Sequence, residues 1–394
     1  MIPVAEALAR VLALAPAPVA EQVALRAAAG RVLLHPALAQ RDQPPFAAAA
    51  MDGYAVREAD HRPGALLTVI GESGAGHGFA GSVTPGSAVR IFTGAPMPAG
   101  AGRVVLQEDV TREGGRIILG DRLEPQPHVR PQGADFRAGD ALAAPRRLRP
   151  VELALLASMN LPEVTVARRP EVAILATGDE LVMPGEAPAP DQIVASNGFA
   201  LAAMAEAAGA RARMLPIARD HEASLRQCLA LAAGADVIVT IGGASVGDHD
   251  LVGKVAADLG MERAFWKIAM RPGKPLMAGR LGGAVMLGLP GNPVSSIVCG
   301  HLFVLPLLAA MQGLPGEVAT RRAVLAGDLP ANGPRAHYMR AGLEPGDGAL
   351  PRITPFESQD SARLRLLAEA SALLVRPEED GPRSAGSVVE YIAL

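Results

Sequence analysis

Acidic and basic side chains gather at a few points of this sequence, and their types suit chemistry on phosphorylated or oxyanionic molecules. Five acids each follow a predicted strand or begin a predicted helix: Asp179, Glu180, Asp220, Asp248 and Asp250. Three cations lie around a proline–glycine turn: Lys267, Arg271 and Lys274. Carboxylates beside phosphates are the pattern that holds Mg²⁺, and cations bind anionic oxygens. A single acid at a helix start is often only a cap, but five on one edge of a sheet predict a site.

The stretch from Asp236 to Asp250 forms the centre of this expected site. Its β-branched, apolar start is typical of a buried strand in a parallel sheet, and a glycine-rich turn with one serine follows. Open α/β sheets bind ligands beyond the carboxyl ends of their strands, where glycines let backbone amides approach an anion. A second such place is the run Pro290-Gly-Asn-Pro-Val294, because Pro293 opens a predicted helix whose first amides can bind phosphate.

Two other interpretations of the same turn stay open. Gly243 to Gly247 fits the G-x-S-x-G pattern of a hydrolase nucleophile elbow, with Ser245 as nucleophile and His301 or His337 as the base. Gly242 makes the turn more flexible, whereas a nucleophile elbow must be strained. Asp248 and Asp250 also crowd the same loop. A purely structural turn is the other interpretation, because five-residue matches also occur by chance.

The sequence lacks the motifs of several other protein classes. It has no P-loop, no G-x-G-x-x-G fingerprint, no H-E-x-x-H and no Cys/His cluster, which argues against nucleotide triphosphatases, dinucleotide-dependent oxidoreductases and zinc enzymes. A net charge of −3 argues against a nucleic-acid partner. We expect no stretch to reach the ~18 uncharged apolar residues that a membrane span needs. The two cysteines, Cys228 and Cys299, lie in apolar helical patterns and predict a reduced, cytoplasmic protein.

The length of 394 residues requires several domains to position these groups. The N-terminal 30 residues predict two helices, Val4–Leu14 and Val19–Ala29, and Pro150–Met159 predicts another. Short apolar runs separated by Gly and Pro predict a small β domain: Leu66–Ile70, Ala88–Phe92, Arg103–Gln107 and Arg116–Leu119. From Pro170, strands alternate with helices, including strand Ala264–Met270 and a long helix Pro293–Met311, as in a doubly wound sheet. From about Thr320, the strand-like runs Arg322–Ala326, Ala372–Arg376 and Val388–Ile392 predict a small, mostly β terminal domain.

Several segments together resemble the molybdopterin molybdenumtransferases, the MoeA family, which also includes the E domain of gephyrin. The matching stretches run in one order over most of the chain: Met51–Val56, Phe92–Pro98, Thr177–Leu181, Gly242–Asp250, Lys267–Pro275 and Pro290–Ser296. The module from Pro170 to Gly313 also resembles the MogA-like adenylyltransferases of the preceding step. One departure from the family pattern is Arg271, where lysine is frequent, so the charge is kept but its geometry changes.

The resemblance implies an elongated, multidomain α/β protein with a doubly wound molybdopterin-binding (MogA-like) domain and small β-rich domains. The expected division is residues 1–46 with 140–169 as a helical linker domain, 47–139 as a β-rich domain, 170–319 as the molybdopterin-binding domain and 320–394 as the C-terminal β domain. It also implies a cytoplasmic homodimer with its active site between subunits. The implied reaction transfers molybdenum from molybdate into adenylated molybdopterin with Mg²⁺, releasing AMP and molybdenum cofactor.

By matched position, the resemblance implies roles for individual residues of this chain. The implied catalytic residues are Asp52, Thr93, Glu180, Asp220, Asp250, Lys267 and Arg271, of which Glu180, Asp220 and Asp250 would hold Mg²⁺. The implied substrate-binding residues are Arg130, Asp135, Ser196, Gly242, Gly243, Ser245, Asp248, Lys274, Pro290, Asn292, Pro293 and Ser361. The implied protein partners are the molybdopterin adenylyltransferase and the molybdoenzymes that accept the cofactor, with no nucleic acid and no membrane. A non-catalytic, molybdopterin-binding scaffold stays open beside the serine hydrolase.

Overall fold

A computed structural model describes residues 1–243, 251–346 and 348–394 of the chain. The chain divides into two compact units, of which the first comprises Met1–Glu21, Gly30–Leu34 and Val166–Leu394. The second comprises Gln22–Ala29 and His35–Thr165. The fourfold division expected from the sequence is finer than this and stays a prediction.

A six-stranded mixed sheet forms the centre of the first unit. In spatial order its strands are Arg211–Met214, Glu171–Ala176, Val237–Ile241, Ala284–Leu289, Met277–Leu281 and Glu262–Trp266. The first four strands are parallel to one another, the fifth pairs antiparallel with the fourth, and the sixth pairs antiparallel with the fifth. Side chains alternate between the two faces, so Val172 and Ile174 enter one core while Ala173 and Leu175 enter the other.

Helices cover both faces of this sheet, as the predicted doubly wound architecture requires. The helices Asn197–Ala207 and Pro293–Cys299 contribute Leu201 and Val298 to one core. The helices Glu222–Ala230 and Leu251–Asp258 contribute Leu225 and Val255 to the other. The three inner parallel strands are buried on both faces and are therefore largely apolar, which is the pattern that identified them in the sequence. The edge strand Arg211–Met214 is only partly buried and carries two arginines.

The helix from Pro293 to Met311 is the one long apolar helix among the described residues. It continues from Pro293–Cys299 through a π-helical turn, Gly300–Val304, into the helix Leu305–Met311. With 19 residues and a mean hydropathy of 2.0 it is long and apolar enough to cross a membrane, so the expectation that no stretch reaches this length was wrong. Its most apolar window is 72% buried inside the protein, which is the environment of a core helix.

The C-terminal part of the first unit is a small closed barrel. Five strands follow one another around it and the last pairs with the first: Ala336–Glu344, Arg352–Pro355, Arg321–Leu325, Val388–Ala393 and Ala372–Arg376. The short helix Leu364–Glu369 lies between two of them in sequence. Three of these strands follow the predicted apolar runs. The longest, Ala336–Glu344, was not predicted, because charged and small residues interrupt its pattern.

The predicted strand Ala264–Met270 was wrong, because the chain changes sheets within it. Glu262–Trp266 belongs to the central sheet, whereas Met270–Arg271 pairs in parallel with Ala336 and His337 of the C-terminal barrel. Lys267 has a positive φ of 69°, a left-handed conformation that ends the first strand. The N-terminal residue Ile2 then pairs with Ile268 as an isolated bridge.

The second predicted N-terminal helix was also wrong. Val4–Leu12 is helical, but the next segment forms the strand Ala20–Ala24 and a 3₁₀ turn, Leu25–Ala27. In the second unit, the amide of Leu25 donates to the carbonyl of Pro162, and Gln22 donates to Glu163. Pairing with a distant segment therefore overrides the helix propensity of this alanine-rich stretch.

A mixed six-stranded sheet dominates the second unit. In spatial order its strands are Arg103–Leu106, Gly53–Val56, Ser87–Ile91, Leu66–Ser73, Arg116–Leu119 and Val110–Glu113. Four of them match the predicted β runs. The remaining helix, Pro150–Ser158, also lies where the sequence predicts it. Short strands complete the chain at Val32–Leu33, Ala37–Leu38, Ala48–Ala49, Val129–Arg130, Ala141–Leu142, Arg146–Arg147, Glu163–Ala167, Leu181–Val182 and Ile193–Val194.

The strand Gly53–Val56 permits a sharp test of packing in the second unit. A Cβ added at Gly53 would lie 1.9 Å from the carbonyl oxygen of Val105 on the neighbouring strand. We therefore expect Gly53→Ala to lower the free energy of unfolding by about 3 kcal/mol, the upper end for an overpacked core. Gly115→Ala is the matched control, because no heavy atom lies within 4 Å of its added Cβ. Urea unfolding of the two variants measures the difference, and equal stabilities would contradict the packing described.

Candidate functional site

A cleft opens where three parallel strands of the central sheet end. The register pairs Ala176 with Ile241, and Ile241 with Leu289, so the three strands end at the same level. The cleft has a volume of about 850 Å³. Eight of the residues expected to bind substrate or metal line it: Glu180, Ser196, Asp220, Gly242, Gly243, Pro290, Asn292 and Pro293. Ser245, Asp248 and Asp250 lie outside the described residues.

The glycine pair after the central strand forms the floor of this cleft. Gly242 and Gly243 have positive φ angles of 90° and 64°. A Cβ on Gly243 would lie 2.3 Å from Cγ2 of Val252, and one on Gly242 would lie 2.9 Å from the carbonyl oxygen of Thr177. Both conformation and space therefore require glycine here, and the backbone itself faces the cleft.

Two loops bring the acids of the cleft together. The amide of Asp220 donates to Oδ1 of Asp179 over 3.0 Å, and the amide of Asp179 donates to Oδ2 of Asp220 over 3.4 Å. The Arg219 guanidinium donates to the carbonyls of Gly178, Asp179 and Leu181 at 3.0 to 3.3 Å. Glu180 and Asp220 lie on these two hydrogen-bonded loops and line the cleft.

The described acids of the cleft can supply two carboxylate ligands to Mg²⁺, but not a complete coordination shell. Among residues 1–243, 251–346 and 348–394, no group of three or more His, Cys, Asp or Glu side chains is placed to hold a metal. Mg²⁺ commonly takes one or two protein carboxylates and completes its shell with substrate phosphates and water. The pair Glu180 and Asp220 matches that requirement, and the expected third ligand, Asp250, is not among the described residues.

The helix start at Pro293 is partly occupied by the C-terminal domain. The amide of Val294 donates to the carbonyl of Ser361 over 3.1 Å, and Nδ2 of Asn292 donates to Oγ of Ser361 over 3.0 Å. The expectation that all the first amides are free for phosphate was therefore wrong for Val294. Ser361 reaches the cleft wall through Asn292, and the neighbouring Ala362 lines the cleft directly.

The segment that carries Ser361 is held by Arg340, which the sequence did not single out. Arg340 is only 1% exposed, and its guanidinium donates to the carbonyls of Ser358, Asp360 and Arg363. Gln359 adds two bonds to the Arg340 backbone, one from the Arg340 amide and one to its carbonyl. A buried charge needs such full hydrogen bonding. One arginine within a strand gives no sequence signal of this kind.

None of the three expected oxyanion-binding cations lines the cleft. Nζ of Lys267 lies 3.9 Å from the centre of the Trp266 ring. Arg271 is exposed, and one of its Nη atoms donates to Oδ1 of Asn332 over 2.8 Å. Lys274 precedes Pro275, which lines the cleft. The amide of Lys267 donates to the carbonyl of Leu276 over 3.0 Å, so this strand end is tied to the cleft-lining segment.

Four expected site residues belong to the second unit. The amide and the hydroxyl of Thr93 both donate to Oδ1 of Asp52, each over 2.7 Å. The amide bond makes the largest contribution and the hydroxyl bond the next, and together they hold the pKa of Asp52 below its usual range. The positive charge of Arg90 lowers this pKa further. Arg130 lies exposed on the strand Val129–Arg130, which pairs with Ala48–Ala49. Asp135 is exposed on a turn.

The histidines that a hydrolase would use as a base are poorly suited to that role. His337 is buried in the C-terminal barrel, and burial together with the nearby Arg271 and Arg376 lowers its pKa to about 4. Burial also lowers the pKa of His301. A base whose pKa lies well below neutrality accepts protons weakly. The hydrolase interpretation is therefore not favoured.

The Asp52–Thr93 pair predicts a pH-dependent effect on stability. Because the folded pKa of Asp52 is lowered, its contribution is present above the unfolded pKa and is lost as pH falls through the folded pKa. Thr93→Val removes the hydroxyl bond and should lower stability at neutral pH, with the deficit vanishing in acid. Urea unfolding at a series of pH values measures this, with exposed Thr111→Val as control. A deficit independent of pH would contradict the assignment.

Three family models match the chain in order. The MoeA N-terminal region (domain I and II) matches residues 2–160, a probable molybdopterin binding domain matches residues 173–310, and the MoeA C-terminal region (domain IV) matches residues 322–394. The middle match contains nearly all of the central sheet and every described cleft-lining residue except Ala362. The last match contains the barrel that carries Ser361.

Curated relatives and solved structures agree with these matches. The molybdopterin molybdenumtransferase of Nostoc sp. is 38% identical over 389 residues, covering 95% of this chain and 88% of the relative. That of Haemophilus influenzae is 39% identical over 296 residues, covering 74% of this chain and 73% of the relative. Two structures of the molybdopterin biosynthesis MoeA protein from Pyrococcus horikoshii have TM-scores of 0.84, with 30% and 28% identity, and cover the whole of this chain and 99% and 100% of theirs. These similarities confirm the predicted multidomain α/β fold, and the chain belongs to the molybdopterin molybdenumtransferase family.

Proposed function

We propose that this protein inserts molybdenum from molybdate into adenylated molybdopterin and releases AMP and molybdenum cofactor. The relatives named above are molybdopterin molybdenumtransferases by name, and their similarity extends over most of the chain. The observation that carries the proposal is the cleft at the strand ends, where Glu180 and Asp220 stand beside a backbone floor of Gly242 and Gly243. A cleft of this kind can hold a phosphoanhydride and a divalent cation together.

The phosphates of the adenylated pterin would lie against the backbone of the cleft. Gly242 and Gly243 leave their backbone unshielded by side chains, which suits close approach of an anion. Asn292 and Ser196 also line the cleft and supply polar side chains. The Val294 amide is used by Ser361, so phosphate binding at the helix start would rest on the remaining polar groups unless that contact opens.

Mg²⁺ would be held by Glu180 and Asp220, with Asp250 as the expected third ligand. When bound, the ion would polarise the phosphoanhydride and neutralise its charge. The protein's own part is to hold the two carboxylates in place. The reciprocal amide–carboxylate bonds between Asp179 and Asp220 hold the Asp220 side chain, and the three carbonyl bonds of Arg219 order the backbone on both sides of Glu180.

Lys267, Arg271 and Lys274 would bind the molybdate oxygens. Molybdate is a dianion and the dithiolene that receives it is also negative, so cations must lower their mutual repulsion. Proline stiffens the segment between Arg271 and Lys274, which keeps the charges placed before binding. Asp52, Thr93, Arg130, Asp135 and Ser361 enter the proposal through their matched positions in the family.

The proposal includes a cytoplasmic homodimer that exchanges small molecules with neighbouring enzymes. Cys228 and Cys299 are both free and buried, as expected of a reduced compartment. The adenylyltransferase that makes the substrate and the molybdoenzymes that accept the cofactor are the proposed protein partners.

A scaffold without activity would have no need for the cleft acids. Labelling of Ser245 by a fluorophosphonate would instead support the hydrolase.

Release of AMP tests the roles of the cleft acids. We expect Asp220→Asn and Glu180→Gln to reduce AMP release from adenylated molybdopterin by at least about 100-fold, because each removes a charge from the metal and phosphate site. The matched control is Glu262→Gln, which neutralises an exposed acid outside the cleft lining. AMP is measured by chromatography with Mg²⁺ and molybdate present. Wild-type release by both folded cleft variants would remove these acids from the site.

The homodimer is tested by the mass of the protein in solution. Light scattering coupled to size-exclusion chromatography should give twice the chain mass of 40.5 kDa, at every loading down to low micromolar concentration. A mass of one chain at all loadings would contradict the proposed dimer and the expectation that the active site lies between subunits.

A further inference from the structure

Two cationic side chains lie over the ring of Trp266, at the end of a strand of the central sheet. Nζ of Lys267 lies 3.9 Å and Cζ of Arg263 5.6 Å from the ring centre. Both distances fall within the ≈ 6 Å range of attraction between a cation and an aromatic face. Trp266 is the only tryptophan in 394 residues, so an indole at this place is a specific feature of the chain.

The backbone of Lys267 is held in an uncommon conformation. Its φ of 69° lies in the left-handed region, which a residue with a side chain rarely adopts. Its amide donates to the carbonyl of Leu276, and its carbonyl accepts from the amide of Ile2. These bonds fix the direction in which the side chain leaves the backbone, and the Trp266 face then fixes the position of the ammonium group.

Lysine itself is rare in this protein. The chain has three lysines, Lys254, Lys267 and Lys274, whereas its other basic side chains are arginines. Two of the three therefore belong to the short segment beside the cleft. An ammonium group is a compact charge with three donors that can turn toward an oxyanion, whereas a guanidinium is a flat, fixed fork.

A tryptophan at position 266 is less favourable for stability than a phenylalanine would be. Among the described residues, the buried Nε1 of Trp266 has no hydrogen-bond partner. An unpaired buried donor is destabilising, and phenylalanine would avoid it. Tryptophan offers the strongest cation-binding face of the aromatic residues, which is a reason to keep it here.

We propose that Trp266 is a positioning residue that holds the Lys267 ammonium ready for the incoming oxyanion. The inference rests on the proposed role of Lys267 in binding molybdate and adds the group that positions it. Lys267 is connected to the cleft through Leu276, the residue after the cleft-lining Pro275. The ring acts through the lysine and has no contact with the reacting atoms of its own.

Calorimetric titration of the full-length protein with sodium molybdate tests this role. Trp266→Leu should weaken molybdate binding about fivefold, because the ammonium loses its aromatic face, whereas Trp266→Phe should stay within about twofold of wild type. Lys267→Met should weaken binding more than either. In the Lys267→Met background, Trp266→Leu should have no further effect. Lys254→Met, at an exposed lysine that does not line the cleft, is the matched lysine control.

The outcomes separate this inference from the proposed function. Normal binding by folded Trp266→Leu, together with weak binding by Lys267→Met, would overturn the positioning role and leave the oxyanion role of Lys267 intact. Normal binding by Lys267→Met would overturn both. An equal loss from Trp266→Leu with or without Lys267 would show that the ring acts only through packing, and would also overturn the inference.

The fluorescence of the single tryptophan gives a second test that needs no change at Trp266. Saturating molybdate should alter Trp266 emission in the wild-type protein as the ammonium engages the anion, and should not alter it in Lys267→Met. Unchanged emission in a wild-type protein shown by calorimetry to bind molybdate would contradict the inference.

Discussion

The common level at which three parallel strands end is the constraint on which the rest of this site depends. The pairing of Ala176 with Ile241 and of Ile241 with Leu289 sets that level, and each strand then turns into a polar loop at the same edge. Apolar packing on both faces of the sheet fixes the register, because a one-residue slip would exchange the two cores. The cleft is thus a consequence of burial elsewhere in the domain.

Polar groups at this edge are held by hydrogen bonds rather than left to solvent. Arg219 fastens the loop of Glu180, and the buried Arg340 fastens the segment that brings Ser361 to Asn292. Both arginines donate mainly to carbonyls, so they order the backbone instead of cancelling an acid. Neither arginine therefore forms an ion pair with Glu180 or Asp220, and the contact of Ser361 with Asn292 makes the C-terminal barrel a structural part of the cleft wall.

The sequence predicted the parallel strands and most of the cleft because both follow from local patterns. Apolar runs such as Ala284–Leu289 mark buried strands, and glycines and acids directly after them mark the binding edge. Contacts between distant segments were beyond such reasoning. The strand Ala20–Ala24 and the sheet change at Lys267 depend on pairing with remote residues, and the role of Arg340 depends on a loop 18 to 23 residues away.

Hydrogen–deuterium exchange with adenylated molybdopterin and Mg²⁺ tests the central claim, that this cleft binds the adenylated pterin, most directly. The account predicts slower exchange at residues 177–181, at Gly242 and Gly243 and at residues 291–296, with no change in the outer helix Glu222–Ala230. Unchanged exchange at these cleft segments, under conditions where the ligand is shown to be bound, would contradict it.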